Sequence, residues 1–363
     1  MLILFSLLSA ENTIDEKVTA GIHAFYNYET QLAIDILTQA RKDGPEHPAV
    51  HLTWVTARWL HSQANDEVEN SYRRLEQDLD EIIPVYEALI QQYPDNPRYR
   101  LFYGTAVGLN ARISLGKKEW ISTLIHAWKG FRIIRKVHNE HPELVDAQLP
   151  IGIVEYYAGL SNVLVKTAVS LFGLETTKES GIKKIELAAN SGEYAWIEAQ
   201  SILSFLYTWV LDSPGKALNY SHNLTEHFPK NYYFNIMYLE SLINTGKLKE
   251  AGRLESYLKQ YLEVLTPVEQ SWYSGYIDYE SALLNYHLGN LDISESLVAQ
   301  AVDNYGAELD IVLANALLLK GKLNDLKGRR TEAVSCYTKC IELNNFSSAV
   351  VNAKEYLDSP FVK

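Results

Sequence analysis

The sequence predicts an all-α protein built from stacked helical hairpins, and three observations support that class. Apolar residues recur at helical spacing, as in the stripe formed by Ala333, Val334, Tyr337, Cys340 and Ile341. Only 11 prolines and 19 glycines are present, which leaves few of the turns that connect short strands. The chain has 363 residues, and a single core stops growing near ~250–300 residues. A repetitive or multidomain architecture is therefore expected.

Composition and charge narrow the function classes. Hydrophobic residues make up 47% of the chain and charged residues 21%, which is typical of folded globular protein. The net charge is −12, and an acidic protein repels the phosphates of nucleic acids. No run of Lys or Arg suggests a local exception. We therefore expect no nucleic-acid partner.

A short cassette recurs in the C-terminal half, in which a glycine stands five residues before a small residue. The three pairs are Gly246 with Ala251, Gly289 with Ser294, and Gly328 with Ala333. The glycine is expected to close one helix in a left-handed conformation. The small residue lets the next helix approach closely, and Val298 and Tyr337 fill the remaining gap. Each cassette thus predicts an antiparallel helical hairpin.

An earlier copy of the cassette lacks the glycine, yet it keeps the small residue Ala217, which lies 34 residues before Ala251. A helix-turn-helix unit of about 34 residues is the period of one helical repeat class. The later copies are more widely spaced and therefore degenerate. A further copy stands near the N-terminus, at Gly21, Ala33, Leu37, Ala40 and Pro45.

This pattern resembles the tetratricopeptide repeat family. The resemblance implies a right-handed α-solenoid of degenerate hairpins, with about eighteen helices, that holds a protein or peptide and needs no cofactor. The segment 142–211 is similar to bacterial tetratricopeptide proteins of unknown role. It is also similar to the eukaryotic inclusion-body-clearance proteins, which associate with the mitochondrial outer membrane. That similarity implies adaptor work near a membrane.

The predicted organisation has four parts. Residues 1–10 are a possible signal peptide, 11–146 form N-terminal hairpins, 147–190 an apolar helical insertion, and 191–363 a C-terminal array. The first part has an apolar run from Leu2 to Leu8, followed by the small residues Ser9 and Ala10. We expect export to the periplasm or cell envelope. The alternative is an apolar first helix that packs on the end of the solenoid in a cytoplasmic protein.

The apolar insertion approaches membrane length over residues 151–174. It contains Glu155 and Lys166, so a buried helix is predicted rather than a membrane span. A peripheral membrane adaptor that uses this segment is the second functional hypothesis. Self-association is left open.

No catalytic motif is present. The chain has no nucleophile elbow, no phosphate-binding loop and no dinucleotide fingerprint. A non-enzyme is predicted, and an all-helical enzyme acting on polysaccharide is the third hypothesis.

No metal site is predicted either. Two histidine pairs have suggestive spacing: His47 with His51, and His138 with His141. Solvated surface positions are the expected alternative for both pairs. Cys336 and Cys340 lie four apart on one predicted helix, so we expect two small buried hydrophobes rather than a disulfide or a zinc site.

Tyrosine supplies the candidate binding residues. The chain has 24 tyrosines, which is denser than packing alone requires. In a solenoid the first helices of the hairpins line a concave surface, where tyrosine binds peptides at low entropic cost. The candidate partner-binding residues are Tyr233, Tyr273, Tyr276 and Asn285.

Overall fold

The structure is a computed structural model that describes residues 2–117, 119–160, 177–307 and 309–362. Side chains are described from Ile14 onward, apart from residues 115, 116, 120, 121 and 124. The described residues form seventeen α-helices and no strand, and no described helix is long and apolar enough to cross a membrane. The all-α prediction is confirmed. The chain divides into two compact units, 1–200 and 201–363.

Unit 1 holds the first eight helices and the first half of the ninth. They are α1 Leu2–Tyr26, α2 Thr30–Asp43, α3 Val50–Asn65, α4 Val68–Gln92, α5 Pro97–Gly116, α6 Trp120–Glu140, α7 Gln148–Leu160, α8 Lys178–Ser191 and α9 Trp196–Phe205. A short 3₁₀ turn, Val145–Ala147, precedes α7.

Unit 2 begins within α9 and continues through a π-helical turn, Leu206–Val210. Its helices are α10 Pro214–His227, α11 Tyr232–Asn244, α12 Leu248–Leu262, α13 Pro267–Leu288, α14 Leu291–Asp303, α15 Ile311–Leu326, α16 Arg330–Glu342 and α17 Ser348–Asp358. Each helix from α10 onward packs against the next, and α11, α13, α15 and α17 also pack against one another in order. This neighbour-to-neighbour stacking is the predicted hairpin array.

The turns between helices share one backbone conformation. Six residues have a left-handed φ between 45° and 84°: Tyr28, Asp212, Gly246, Gly289, Gly328 and Asn344. Each stands five residues before a small, fully buried residue: Ala33, Ala217, Ala251, Ser294, Ala333 and Ala349. After four of them, the next backbone N–H bonds to the carbonyl five residues back, at 2.9 Å for Lys247 to Leu242. This is the Schellman closure of a helix. The three predicted glycine turns are confirmed.

The predicted close packing within hairpins is also confirmed. A Cβ atom placed on Gly21 would lie 2.4 Å from Cγ of Leu37, and one on Gly321 would lie 2.3 Å from Cε1 of Tyr337. Both partner side chains are fully buried. The second helix therefore presses a large side chain into the space that the missing glycine side chain leaves.

Glycine also brings the helices together in the middle of the chain. A Cβ on Gly130 of α6 would lie 2.5 Å from Cα of Gly108 on α5, and one on Gly181 of α8 would lie 2.7 Å from the carbonyl oxygen of Gly152 on α7. The backbones are thus in contact at these crossings.

Part of the predicted insertion lies in α7 and α8. Buried Glu155 accepts hydrogen bonds from Lys184 Nζ at 2.7 Å and from Ser180 Oγ at 2.8 Å. Residues 161–176, which hold most of the proposed membrane-contacting segment, lie outside the described residues. The predicted domain boundaries remain predictions.

Candidate binding site

A continuous band of aromatic rings crosses three helices of unit 2. In order, its members are Tyr257, Tyr261, Tyr232, Tyr273, Tyr276 and Tyr305, and we call them the tyrosine band. The spacings between successive ring centroids are 5.7, 6.1, 4.8, 6.1 and 6.0 Å. These distances fall within the range of favourable ring pairs. The band runs from the exposed Tyr257 on α12 to the half-buried Tyr305 after α14.

The π-helical turn supports the band from one side. Trp209 in this turn is fully buried, and its ring centroid lies 6.3 Å from that of Tyr276 and 6.2 Å from that of Tyr233. Its backbone carbonyl accepts a hydrogen bond of 3.2 Å from Ser348 Oγ on α17. The turn also packs on α11 and α15. Because the turn is held by several helices, the rings around Trp209 have a fixed support.

Three of the four predicted binding residues belong to this aromatic assembly. Tyr273 and Tyr276 are members of the band, and Tyr233 lies across Trp209 from Tyr276. Tyr233 and Tyr273 are half-buried, whereas Tyr276 is only 5% exposed and is chiefly a packing residue.

The structure does not bring the fourth residue, Asn285, into the assembly. Its side chain donates to the carbonyl of Ser281 at 2.9 Å and accepts from Asn290 Nδ2 at 3.1 Å. Its backbone carbonyl accepts the N–H of Asn290, which closes α13. Asn285 therefore shapes the turn after α13. A role for these residues in partner binding stays a prediction.

A buried acidic pair lies beside Trp209, and sequence reasoning did not find it. Glu240 on α11 and Glu280 on α13 are 2% and 0% exposed. Glu240 accepts hydrogen bonds from the Trp209 indole and, at 3.2 Å, from the Tyr279 hydroxyl. Within the described part of the chain, no donor group reaches either oxygen of Glu280. A proton shared with Glu240 is therefore what can satisfy Glu280.

The pair is consequently expected to hold a proton at neutral pH. Burial raises the pKa of Glu240 to about 7, against the opposing effect of its hydrogen bond from Trp209. Burial, and then the nearby charge of Glu240, raise the pKa of Glu280 well above its usual range. No cluster of three or more His, Cys, Asp or Glu side chains suited to a metal ion occurs among the described residues.

The two cysteines and one of the paired histidines, His51, are buried. Cys336 and Cys340 are free and buried, as predicted. The expectation of a solvated surface position was wrong for His51, which is 2% exposed. It accepts a hydrogen bond from Arg41 at 2.9 Å and contacts the carbonyl of Pro45 at 2.6 Å. Burial lowers the pKa of His51 to about 4, so this ring is neutral at pH 7.

No protein-family model matches the sequence, and no curated protein matches it. Among solved structures, the chain is similar to a tetratricopeptide repeat protein from Parabacteroides merdae, with 13% identity, 96% of this chain and 98% of that chain covered, and a TM-score of 0.32. It is similar to yeast Tom70 at 9% identity, with 96% and 88% covered and a TM-score of 0.41. It is also similar to the human IFIT1 dimer with PPP-AAAA, at 12% identity, with 96% and 83% covered and a TM-score of 0.43. Likenesses this distant assign no site and no partner. The tetratricopeptide-type architecture rests on the hairpins themselves, with their left-handed turns and small buried residues.

Proposed function

We propose that the protein is a non-catalytic scaffold that binds another protein or a peptide through the tyrosine band of unit 2 and the adjoining Tyr233. The observation that carries the proposal is the rigid mounting of half-buried tyrosines. The ring centroid of Tyr273 lies 4.8 Å from that of Tyr232, and the ring centroid of Tyr233 lies 6.2 Å from that of the buried Trp209. A fixed tyrosine offers apolar area and a hydroxyl group while losing little conformational entropy on binding. Such residues are common energetic centres of protein interfaces.

Differential affinity capture tests this proposal. The full chain is immobilised as wild type, as Tyr233→Ala/Tyr273→Ala, and as a control, Tyr93→Ala, and each is exposed to a lysate of the native organism. Tyr93 is 39% exposed and lies in unit 1. We expect at least one protein to be captured by wild type and control and lost, by tenfold or more, from the double variant. Identical captured sets on all three would contradict the proposal, provided that the double variant keeps its helical circular dichroism.

We also propose that the protein works outside the cytoplasm. The apolar residues 2–8 followed by two small residues support export. N-terminal sequencing of the protein from fractionated native cells tests this directly. An envelope fraction whose chain starts at Glu11 agrees with the proposal, and a cytoplasmic chain that retains Leu2–Ala10 contradicts it.

A further inference from the structure

The helix α6 reverses the charge of the protein locally. Residues 120–139 contain Lys129, Arg132, Arg135 and Lys136 and no Asp or Glu, although the chain as a whole carries −12. These residues are mostly three or four apart. On a helix that spacing gathers side chains on one side, even though the sequence shows no basic run.

The opposite side of α6 is fixed to the fold. Gly130 meets Gly108 of α5 backbone to backbone, and Ile134 and Val137 are 3% and 1% exposed. Because those positions face the core, the side that carries Lys129 and Arg132 must face away from it. Unit 1 thus presents the cations on a firmly packed helix.

Exposed apolar groups share this side with the cations. Lys129, Arg132 and Lys136 are exposed, Ile125 is 48% exposed and Trp128 is half-buried. We call these five residues the basic face. Trp128 is held by stacking on Phe131, with ring centroids 5.7 Å apart. The Nζ atom of Lys136 lies 3.9 Å from a carboxylate oxygen of Glu140, at the end of the same helix. Glu140 also forms an ion pair of 2.7 Å with Arg100, so its charge is divided between the two cations.

We propose that the basic face of α6 docks on the surface of a lipid bilayer that contains anionic phospholipid. Lysine and arginine near such a surface are attracted by its negative potential. Tryptophan and aliphatic side chains on the same face enter the boundary between headgroups and acyl chains. The basic face combines both contributions on a single helix side.

The combination of cations and exposed apolar groups favours a bilayer over other anionic partners. The basic face borders a shallow depression of about 540 Å³, and every described residue that lines it belongs to α6. A bilayer needs only one accessible side of a helix, and the exposed cations of α6 lie on one side. A nucleic acid would engage the cations but would leave Ile125 without a partner. The site lies in unit 1, so the tyrosine band can fail its test without affecting this proposal.

Vesicle sedimentation with the full-length protein tests the proposal. The probes are vesicles of phosphatidylcholine alone and vesicles with roughly 30% phosphatidylserine. We expect binding to be at least about tenfold stronger with phosphatidylserine and to fall steeply when salt rises from about 0.05 to about 0.5 M. Arg132→Glu/Lys136→Glu should lower it by at least about tenfold. Lys249→Glu/Lys354→Glu, which makes the same charge change at exposed lysines of unit 2, should stay within about twofold of wild type because the basic face is left intact.

Three results would overturn the proposal: equal binding to both kinds of vesicle, equal loss in the control variant, or binding to a soluble polyglutamate peptide without binding to vesicles. The last result would assign the face to an acidic polypeptide instead. Ile125→Ser separates the contributions, because it should weaken vesicle binding about threefold while leaving the salt dependence unchanged. If the charge reversals disturb the helical circular dichroism, Arg132→Gln/Lys136→Gln makes the same comparison with a smaller expected loss.

Discussion

Replacing one member of the buried acidic pair should make the protein more stable at neutral pH. In Glu280→Gln, the new amide can donate a hydrogen bond to Glu240, so the carboxylate no longer needs a shared proton to be satisfied. Glu280 is 0% exposed, and within the described residues no donor reaches its two oxygens. The substitution removes an acidic group without changing the shape of the side chain, so little repacking is expected.

The magnitude follows from proton linkage. A carboxyl group whose pKa is higher in the folded chain than in the unfolded chain binds extra protons when folded. Its stabilising effect is therefore complete below the unfolded pKa and is lost as the pH rises through the folded pKa. The pKa of Glu240 is raised to about 7 and that of Glu280 well above 4.5, so the loss falls across neutral pH. One extra proton gives a slope of about 1.4 kcal/mol per pH unit. From about pH 6 to about pH 7.5, the acidic pair should therefore lower the free energy of unfolding by about 2 kcal/mol.

Urea unfolding of the full chain at a series of pH values measures this slope. Subtracting the free energy of unfolding of the variant from that of the wild type at each pH removes the contributions of histidines and other groups that both proteins share. The slope of the free energy of unfolding against pH should be smaller in Glu280→Gln by the equivalent of about one proton. In Glu355→Gln, at an exposed position, the slope should match that of the wild type. A Glu280→Gln slope equal to that of the wild type, or a wild type that gains stability relative to Glu280→Gln from about pH 6 to about pH 7.5, would refute the shared-proton reasoning.

The remaining predictions concern packing and can be checked by the same unfolding assay at neutral pH. Gly246→Ala should destabilise by about 1–2 kcal/mol because its φ is 76°, whereas Gly252→Ala, in a helix with open space around the position, should stabilise by about 0.5–1 kcal/mol. Gly321→Ala should cost about 1–3 kcal/mol, since the new Cβ would lie 2.3 Å from the buried Tyr337 ring. Lys184→Met should destabilise the protein by about 3 kcal/mol, because it leaves the buried carboxylate of Glu155 without a cation.

The hairpins could be predicted from the sequence because they depend on local features of the chain. A left-handed glycine closes a helix wherever it stands, and a small residue five positions later allows the next helix to approach. Both features can be seen in a single sequence, and Gly289 with Ser294 shows them together. Leu37 and Gly21 both belong to the predicted N-terminal copy, and the structure brings them into close contact.

The left-handed conformation of three turns was not predicted, because the residue that adopts it is not glycine. Tyr28, Asp212 and Asn344 have φ values of 64°, 45° and 50°. Asn and Asp tolerate this conformation, but tyrosine rarely adopts it, so only the surrounding packing can fix it at position 28. The distance to the next small residue was the available signal, since Ala217 was found without a glycine before it.

The candidate sites depended more on contacts between distant segments. The tyrosines were found from their abundance, but the support from Trp209 could not be foreseen, because it requires a π-helical turn to reach α11, α15 and α17. The basic face was missed because its cations are spread along the sequence and converge only when α6 forms. Asn285 was placed on the right helix, yet its position at the C-terminal turn gives its side chain local partners.

The acidic pair also follows from the way a hairpin array is built. The first helices α11 and α13 lie side by side, so residues at corresponding depths meet across the array. Glu240 alone would keep the two donors that Trp209 and Tyr279 provide. Glu280 alone would be an unsatisfied buried carboxyl, which is strongly disfavoured. The second glutamate is tolerated because the first lies next to it and can share a proton, so the two positions are energetically coupled. Glu280→Leu should therefore raise the pKa of Glu240 further, because burial remains while one of the hydrogen bonds that lower this pKa is lost. A Glu240 pKa that falls in the variant, measured from the pH dependence of urea unfolding, would contradict this coupling.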